Sequence, residues 1–189
     1  MPPKSKLTKQ DIVDTAVDLV RKQGMQGLNA RNLATAMGCS TQPIFSNFAS
    51  MEELYYSVIQ QADACNKAYI DKEIALGQFP AYKASGMAYI RFAKEETELF
   101  KLLYMRDRAG EEIPMEHKLT SQMESLVQKN TGLSADGVKL FHLEMWACVH
   151  GIATMFATGF LDLDWELVSK MLTDIYQGLS KQYRKEQNT

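Results

Sequence analysis

Three helix-start signals follow one another closely between Asn29 and Glu53, and this spacing constrains the fold more than any other feature of the sequence. Asn29 precedes one short apolar segment, Ser40 precedes a second, and Ser50-Met-Glu-Glu53 has the pattern of a capping box that opens a longer helix. Gly38 lies between the first two segments, where a glycine with positive φ can end a helix. The sequence therefore predicts two short helices joined by a tight turn and followed by a long helix.

Helical periodicity extends through the rest of the chain. Thr8 and Asp11 predict the start of a first helix over about residues 9–23, and Gly24 ends it. Pro43 falls in the first turn of the third helix, where its missing N–H leaves no intrahelical bond unmade. Turn residues predict later breaks near 77–80, 107–114, 130–134 and 159–164, with long final helices over about 135–158 and 165–185. No segment alternates as a strand does, so we expect an all-α fold class.

The helices divide into two predicted domains of opposite charge. Residues 1–50 form a three-helix helix-turn-helix domain, and residues 51–189 a C-terminal helical bundle in which 51–63 is the connecting helix. The first domain carries six Lys or Arg against three Asp or Glu, so its net charge is +3, although the whole chain carries −2. The second domain then carries −5. This asymmetry fits a head that approaches phosphates, with a chance fluctuation of three charges as the alternative.

Composition also bounds the compartment and the chemistry. No apolar run reaches the roughly 18 residues of a membrane span, and Met-Pro-Pro-Lys-Ser-Lys at the N-terminus lacks the apolar stretch of a signal peptide. We therefore expect a cytoplasmic protein with no membrane partner. Cys39, Cys65 and Cys148 are odd in number and widely spaced, so neither a disulfide framework nor a metal site is predicted. We expect no cofactor.

The helix-turn-helix segment carries a family resemblance. The run Leu33-Ala-Thr-Ala-Met-Gly38-Cys-Ser-Thr-Gln-Pro-Ile-Phe-Ser-Asn-Phe48-Ala-Ser-Met-Glu-Glu-Leu54 closely resembles the DNA-binding signature of the tetracycline-repressor-like (TetR) family, and the similarity covers about residues 8–60. The resemblance implies that Gly38 makes the turn and that a small core is built by Leu33, Ala34, Ile44, Phe48 and Leu54. It also implies that Thr41, Gln42, Pro43, Ser46 and Asn47 face DNA. With Lys6, Arg31, Ser40 and Phe45 added, these residues are the candidate DNA-binding set.

The residue types in this set suit a recognition helix in the major groove. The Gln42 amide can bond to two groups of an adenine, and Pro43 can touch a thymine methyl. Lys4, Lys6 and Lys9 precede or open the first helix, where a basic arm could follow a phosphate strand. Any one polar side chain of the set can instead contact phosphate or water, because half or more of such contacts go to the DNA backbone.

Three positions depart from the family pattern. Phe45 stands where the family usually has Tyr, Asn47 where it often has His, and Met51 where Lys commonly opens the fourth helix. Phe45 loses a phosphate-directed hydroxyl and Met51 loses a charge. We therefore expect weaker contacts to the DNA backbone than the family pattern implies.

The C-terminal domain is predicted to bind a small-molecule effector. Trp146-Ala-Cys-Val-His150-Gly151 resembles a pattern in one subset of TetR-type ligand domains, and His142, Trp146 and His150 share one helix face at i, i+4 and i+8. Aromatic and Met side chains can line an apolar pocket in a bundle, although the same side chains can simply be core, and the two histidines can be structural. The candidate ligand-binding residues are Phe92, Phe100, Tyr104, Met105, His142, Trp146 and His150.

The two final helices are predicted to form a homodimer interface. About residues 141–157 and the last helix would build a four-helix bundle with a second copy, since a palindromic operator calls for a two-fold dimer. The alternative is packing within one chain for the apolar residues Phe160, Leu161, Leu163, Trp165, Leu167, Met171, Leu172 and Ile175.

Together these features predict a ligand-responsive transcriptional regulator. It would be a repressor that stays bound to double-stranded operator DNA until a small molecule releases it. An enzyme that uses His142 or His150 as a general base is the first alternative, but no nucleophile–base pair or phosphate loop can be assembled from the spacing. We therefore expect no enzymatic activity. An adaptor whose head has lost DNA binding is the second alternative, and Phe45 and Met51 are the residues that suggest it.

Overall fold

The computed structural model describes residues 7–107 and 118–186, and in these ranges all regular structure is helical. The predicted all-α class is confirmed. A 3₁₀ turn, Met25–Gly27, follows the first helix. The helices are α1 (Lys9–Gln23), α2 (Ala30–Ala36), α3 (Gln42–Asn47), α4 (Met51–Leu76), α5 (Ala81–Glu95), α6 (Thr97–Tyr104), α7 (Lys118–Thr131), α8 (Ala135–Ala157) and α9 (Trp165–Glu186).

Most of the predicted helix ends are confirmed by the capping bonds. The Thr8 side chain accepts from the Asp11 amide while the Asp11 carboxylate accepts from the Thr8 amide, which is a complete capping box. Asn29 caps α2 by accepting from the Asn32 amide at 2.9 Å. Gly24 ends α1 with a φ of 68°, a conformation in which a Cβ would be strained.

The predicted cap at Ser40 is wrong. Thr41 holds the N-cap position of α3, and its backbone is already helical, with φ −73° and ψ −14°. A side chain normally caps a helix from extended backbone, and Thr41 makes no such bond. Pro43 lies in the first turn as predicted, which leaves one fewer amide in need of a partner.

The capping box that opens α4 is only half formed. The Glu53 amide donates to the Ser50 hydroxyl at 3.2 Å, as the pattern predicts. The Glu53 carboxylate, however, accepts from the Ala49 amide at 2.7 Å. Its other oxygen accepts from the Lys9 ammonium at 2.6 Å, so this side chain also joins the starts of α1 and α4.

The described residues divide into two compact units. The first unit lies within Met1–Lys67 and Glu95–Arg106, so it contains α1 to α3, the first part of α4, and α6. The head core implied by the resemblance is confirmed, because each member is at most 4% exposed: Leu33, Ala34, Ile44, Phe48 and Leu54. The helix α6 packs against α1 and buries Leu99 and Phe100 completely.

The second unit lies within Ala68–Lys94 and Asp107–Thr189. It contains the end of α4, most of α5, and α7 to α9. Its main hydrophobic cluster joins four helices through buried residues: Tyr82 from α5, Met123 and Val127 from α7, Val138, Phe141 and Met145 from α8, and Tyr183 from α9. Ile175 packs against this cluster and Leu172 is 3% exposed, so part of the apolar surface of α9 is covered within its own chain.

The expectation that no segment could span a membrane needs a correction at α8. This helix is long and apolar enough to do so by length and composition alone, and it is the one such helix in the part of the chain that the structure describes. The core helix of a soluble protein meets the same condition. Six large side chains of α8 are buried in the second unit: Val138, Phe141, Met145, Val149, Ile152 and Phe156.

Three predicted breaks agree with the structure and one boundary was missed. The chain leaves helix after Leu76, Thr131 and Ala157 as expected, whereas residues 108–114 of the fourth predicted break lie outside the described residues. The missed boundary separates α5 from α6 at Glu96, whose φ of −117° and ψ of 48° are not helical. Neither Gly nor Pro marks this position, so the local sequence contains no break signal there.

Candidate DNA-binding surface and ligand-binding residues

The short helix α3 presents a surface above the buried head core. Ile44 is fully buried beneath it, and Phe48 at its C-terminal end is 1% exposed. The DNA-facing candidates lie on the other side. Six of them are exposed, namely Arg31, Ser40, Thr41, Gln42, Phe45 and Ser46, while Pro43 and Asn47 are half-buried. Lys6 and Lys4 lie outside the described residues.

Hydrogen bonds distinguish the polar side chains of α3. The Ser46 hydroxyl donates to the Gln42 carbonyl at 2.9 Å, and the Asn47 amide donates to the Pro43 carbonyl at 2.8 Å. The Ser46 hydroxyl hydrogen and one of the two Asn47 amide hydrogens are therefore used within the helix. Within the described ranges, no hydrogen bond involves the Gln42 amide or the Thr41 hydroxyl. Gln42 keeps its full donor and acceptor capacity for a base edge.

Two cations of the head are held by carboxylates that lie beyond residue 50. Lys9 pairs with Glu53 at 2.6 Å and lies over the Phe48 ring, while its side chain stays about half exposed. The Arg21 guanidinium bonds to both carboxylate oxygens of Glu96, at 2.8 and 3.1 Å. Glu53 and Glu96 therefore place carboxylates beside two of the six cations that residues 1–50 contain.

The pair between Arg21 and Glu96 fastens α1 to the start of α6. Asp18 accepts a third guanidinium bond at 3.0 Å, and the Glu96 side chain is only 17% exposed. The bond to Glu96, followed by that to Asp18, raises the pKa of Arg21, whereas partial burial opposes the shift. A two-point contact between guanidinium and carboxylate fixes orientation as well as distance. The arrangement positions α6 within the first unit.

Three candidate ligand-binding residues lie in the first unit. Phe100 is fully buried, and its ring centroid is 5.1 Å from that of Tyr104. The Tyr104 hydroxyl accepts from the Asn66 side-chain amide at 2.8 Å. Met105 follows Tyr104 and is 41% exposed. Asn66 was not predicted as a site residue, although it is 1% exposed and polar.

The other four candidates lie in the second unit. His142 Nδ1 is 2.9 Å from the Tyr82 hydroxyl, and His150 Nδ1 is 3.0 Å from the Tyr89 hydroxyl. Trp146 is 40% exposed and stacks on His150, with ring centroids 4.8 Å apart. Phe92 is fully buried and meets Tyr69 edge to face at 5.5 Å. The seven candidates therefore do not belong to one compact unit.

Burial sets the protonation of the two histidines. It lowers the pKa of His142, an effect that the nearby Glu124 carboxylate partly opposes. It lowers the pKa of His150 as well. The pKa of Tyr82 is raised, chiefly by burial and secondarily by Tyr176, so this phenol stays neutral. The Tyr82–His142 contact is therefore a neutral hydrogen bond at pH 7.

The described residues do not form a metal-binding site. No group of three His, Cys, Asp or Glu side chains in the described ranges could hold an ion. The three cysteines are unbridged and half-buried. Burial is the main cause of the raised pKa of Cys65, and nearby Glu96 adds to it, so this thiol is protonated at neutral pH.

Comparison with known proteins identifies the family to which this chain is similar. The model of the tetracyclin repressor-like C-terminal domain matches residues 82–175, which is about half of the chain. The chain belongs to the TetR family. It therefore has the fold of TetR-type transcriptional regulators. No curated protein sequence matches the chain.

Solved structures extend the TetR fold over nearly the whole chain. A protein of unknown function from Rhodococcus sp. RHA1 is 20% identical with a TM-score of 0.71, and the match covers 96% of this chain and 98% of that one. A TetR family member from Streptomyces coelicolor A3 is 18% identical with a TM-score of 0.65, covering 88% and 96%. The multidrug binding protein EbrR, complexed with imidazole, is 18% identical with a TM-score of 0.62, covering 88% and 93%. At these identities the likeness shows the fold alone.

The sequence did not predict the side chains that hydrogen-bond to the candidate residues of this TetR-type chain, because these partners belong to no motif. Tyr82 and Tyr89 lie on α5, seven residues apart, and each holds a histidine of α8. Asn66 and Glu96 lie far along the chain from Tyr104 and Arg21. The one available signal was a polar residue at an otherwise apolar position, which fits Asn66 but does not identify its partner.

Proposed function

We propose that this TetR-family protein is a ligand-responsive DNA-binding regulator, a repressor that leaves a palindromic operator when a small molecule binds. The observation that supports this most is the exposed α3 surface above a buried core, where no described residue bonds to the Gln42 or Thr41 side chain. Residues 1–50 form its reading head. Residues 51–189 form the ligand-binding and dimerisation domain, in which the connecting helix, predicted over 51–63, is the first part of α4 (Met51–Leu76). The protein works in the cytoplasm.

Within the head, α3 enters the major groove. Gln42 reads a base edge, and exposed Phe45 contributes an apolar contact where family members usually have Tyr. Ser40, Thr41, Pro43, Ser46 and Asn47 make the surrounding base and phosphate contacts. Arg31 and Lys6 contact phosphates. Because Lys9 and Arg21 are paired within the protein, the salt dependence of binding reflects few cations.

Selection from a pool of random duplexes tests this directly. The purified full chain should enrich a palindrome whose half-sites lie one helical turn apart, about 34–36 Å. Recovery of sequences with no shared motif would contradict the proposal. If the protein protects the same palindrome in the DNA beside its own gene, that result would further support the proposal.

A dimer follows from the two-fold symmetry of such a site. Apolar side chains that are 40–75% exposed lie on α8, after it and on α9: Leu140, Leu143, Trp146, Phe160, Leu161 and Leu167. A second copy covers these side chains. Ile175 packs on its own core, so a charge there would test folding, whereas Leu143 at 58% exposed is a direct probe of the interface.

Light scattering of Leu143→Glu tests the dimer. The wild type should scatter as twice 21.4 kDa at micromolar concentration, and Leu143→Glu should shift toward the monomer. Lys139→Glu on the same helix is the matched control, since Lys139 is already charged and exposed. A wild-type species of 21.4 kDa would contradict the dimer.

Ligand control rests on a difference in affinity between two states. The candidates of the first unit, Phe100, Tyr104 and Met105, bind the effector, whereas Phe92, His142, Trp146 and His150 of the second unit stay predictions. The structural likeness to EbrR, whose structure holds imidazole, supports a small-molecule site. A preference of about 1–3 kcal/mol for the state that does not bind DNA gives a 5–150-fold effect, and linkage requires operator DNA to weaken ligand binding equally. Titration into free protein and into the operator complex should therefore give different affinities. Equal affinities would exclude this mechanism.

A further inference from the structure

A polar group that the sequence did not single out lies inside the first unit. Asn66 is on α4 and is 1% exposed. Its amide nitrogen donates to the Tyr104 hydroxyl at 2.8 Å. Its carbonyl oxygen, Oδ1, is buried and accepts no hydrogen bond from any residue within 7–107 and 118–186. One half of this amide is therefore used and the other half is not.

A buried carbonyl oxygen without a donor has lost its hydration and gained nothing in return. Buried polar groups normally have partners, so an unsatisfied oxygen needs a reason. Replacing Asn66 with an apolar residue would remove the cost, and the chain keeps the amide. A ligand that donates a hydrogen bond to Oδ1 would supply the missing partner.

The residues beside Tyr104 indicate the chemical class of such a ligand. The Tyr104 hydroxyl holds the amide in place, and the Phe100 ring lies 5.1 Å from the Tyr104 ring. Met105, at 41% exposed, follows Tyr104 in the chain. Aromatic rings and a thioether favour a flat apolar body. An uncharged oxygen recovers most from an uncharged donor, because a charged one would also have to be desolvated.

We propose that Asn66 Oδ1 is the polar anchor for the effector, and that the effector is a neutral aromatic molecule with one O–H or N–H donor. This inference rests on the proposed function in that the bound molecule is the regulator's ligand. Tyr104 is the positioning residue that orients the amide. Phe100 and Met105 supply the apolar contacts around the anchor.

Matched probes test the donor without a variant. Phenol and indole each carry one donor, whereas anisole and 1-methylindole have the same rings with that donor methylated. Calorimetric titration into the full-length wild type should give at least about five-fold tighter binding of each donor probe, the size expected of one recovered hydrogen bond. Equal affinity within each pair, binding of none of the four, or preference for the methylated members would overturn the proposal. Tighter binding of benzylammonium than of phenol would overturn the neutral class.

Asn66→Leu tests the residue itself. The variant has nearly the same shape and no amide, so it should bind phenol and anisole, or indole and 1-methylindole, equally. Gln61→Leu on the same helix is the matched control, because Gln61 is exposed, and it should keep the wild-type preference. Tyr104→Phe leaves the ring and removes the hydroxyl that orients the amide, so it should reduce the preference without abolishing ring binding. A donor preference that persists in Asn66→Leu would overturn the proposal.

DNA binding separates this inference from the proposed function. Wild type and Asn66→Leu should bind the selected duplex equally when no probe is present, and phenol or indole should release only the wild type. If the wild type shows no DNA preference while its donor preference depends on Asn66, the proposed function fails and the site stands. If DNA is bound specifically but the donor preference is absent, the site fails and the DNA-binding function stands.

Discussion

The α3 surface and the candidate face of α8 differ in how their side chains are engaged. On α3, Gln42 and Thr41 are exposed and no hydrogen bond occupies their side chains within the described ranges. On α8, His142 and His150 are half-buried and each is held by a tyrosine of α5. The contrast shows that a DNA-reading surface can be recognised by its exposed polar side chains that make no hydrogen bond within the protein. A ligand-binding face needs its partners to be known before its open groups can be identified.

The largest effect is expected in the head core. Phe48→Ala removes a ring that is 1% exposed and should destabilise the protein by about 3–5 kcal/mol. Phe45→Ala makes the same chemical change at a position that is 50% exposed and should cost less than about 0.5 kcal/mol. Urea unfolding followed by circular dichroism measures both. Equal costs would show that α3 does not pack as described.

Gln42→Ala is expected to lose about 1–3 kcal/mol on the selected duplex, because a bidentate base contact is removed. Its affinity for random DNA should change little. Gln61→Ala, an exposed amide on α4, is the control and should leave both affinities unchanged. Equal losses on selected and random DNA would reassign Gln42 to phosphate contact.

The pair between Arg21 and Glu96 should contribute about 1 kcal/mol to the first unit, since it is bidentate and partly shielded. A double-mutant cycle with Arg21→Met and Glu96→Gln measures the coupling. Lys101 and Glu98, an i,i+3 pair at the surface of α6, give the comparison and should couple by a few tenths of a kcal/mol. A zero coupling energy for Arg21 and Glu96 would show that the pair does not fasten α6 to α1.

The smallest effect is a pH dependence from α8. Burial lowers the pKa of His142 and of His150 below the usual 6.5, so the unfolded chain binds more protons than the folded one below that pH. Their contribution to stability is therefore present above about pH 6.5 and is lost as the pH falls through the lowered values. The double variant His142→Asn/His150→Asn should lose less stability than the wild type between pH 7 and pH 5.5. Parallel curves would contradict the assigned directions.

The sequence predicted local features well. Thr8 and Asn29 begin their helices and Gly24 ends one, as expected, because a cap depends on residues within one turn of it. The head core was likewise predictable, since Ile44 and Phe48 lie in a short segment with a recognisable pattern.

The remaining features depend on distant partners. Ser40 failed as a cap because the Thr41 backbone is already helical, which residue type alone does not decide. The tyrosines that hold His142 and His150 lie about sixty residues earlier in the chain, so periodicity on α8 could not identify them. The ion pair of Arg21 was unpredictable for the same reason, because its partner is Glu96.

Whether the α3 surface reads DNA sequence can be measured on the full-length protein. Fluorescence anisotropy compares the affinity of the full-length protein for the selected palindrome with its affinity for a scrambled duplex of the same composition. A sequence-reading α3 should give about 10³-fold or greater preference for the palindrome at physiological salt. Equal affinity for the two duplexes at every salt concentration would contradict it.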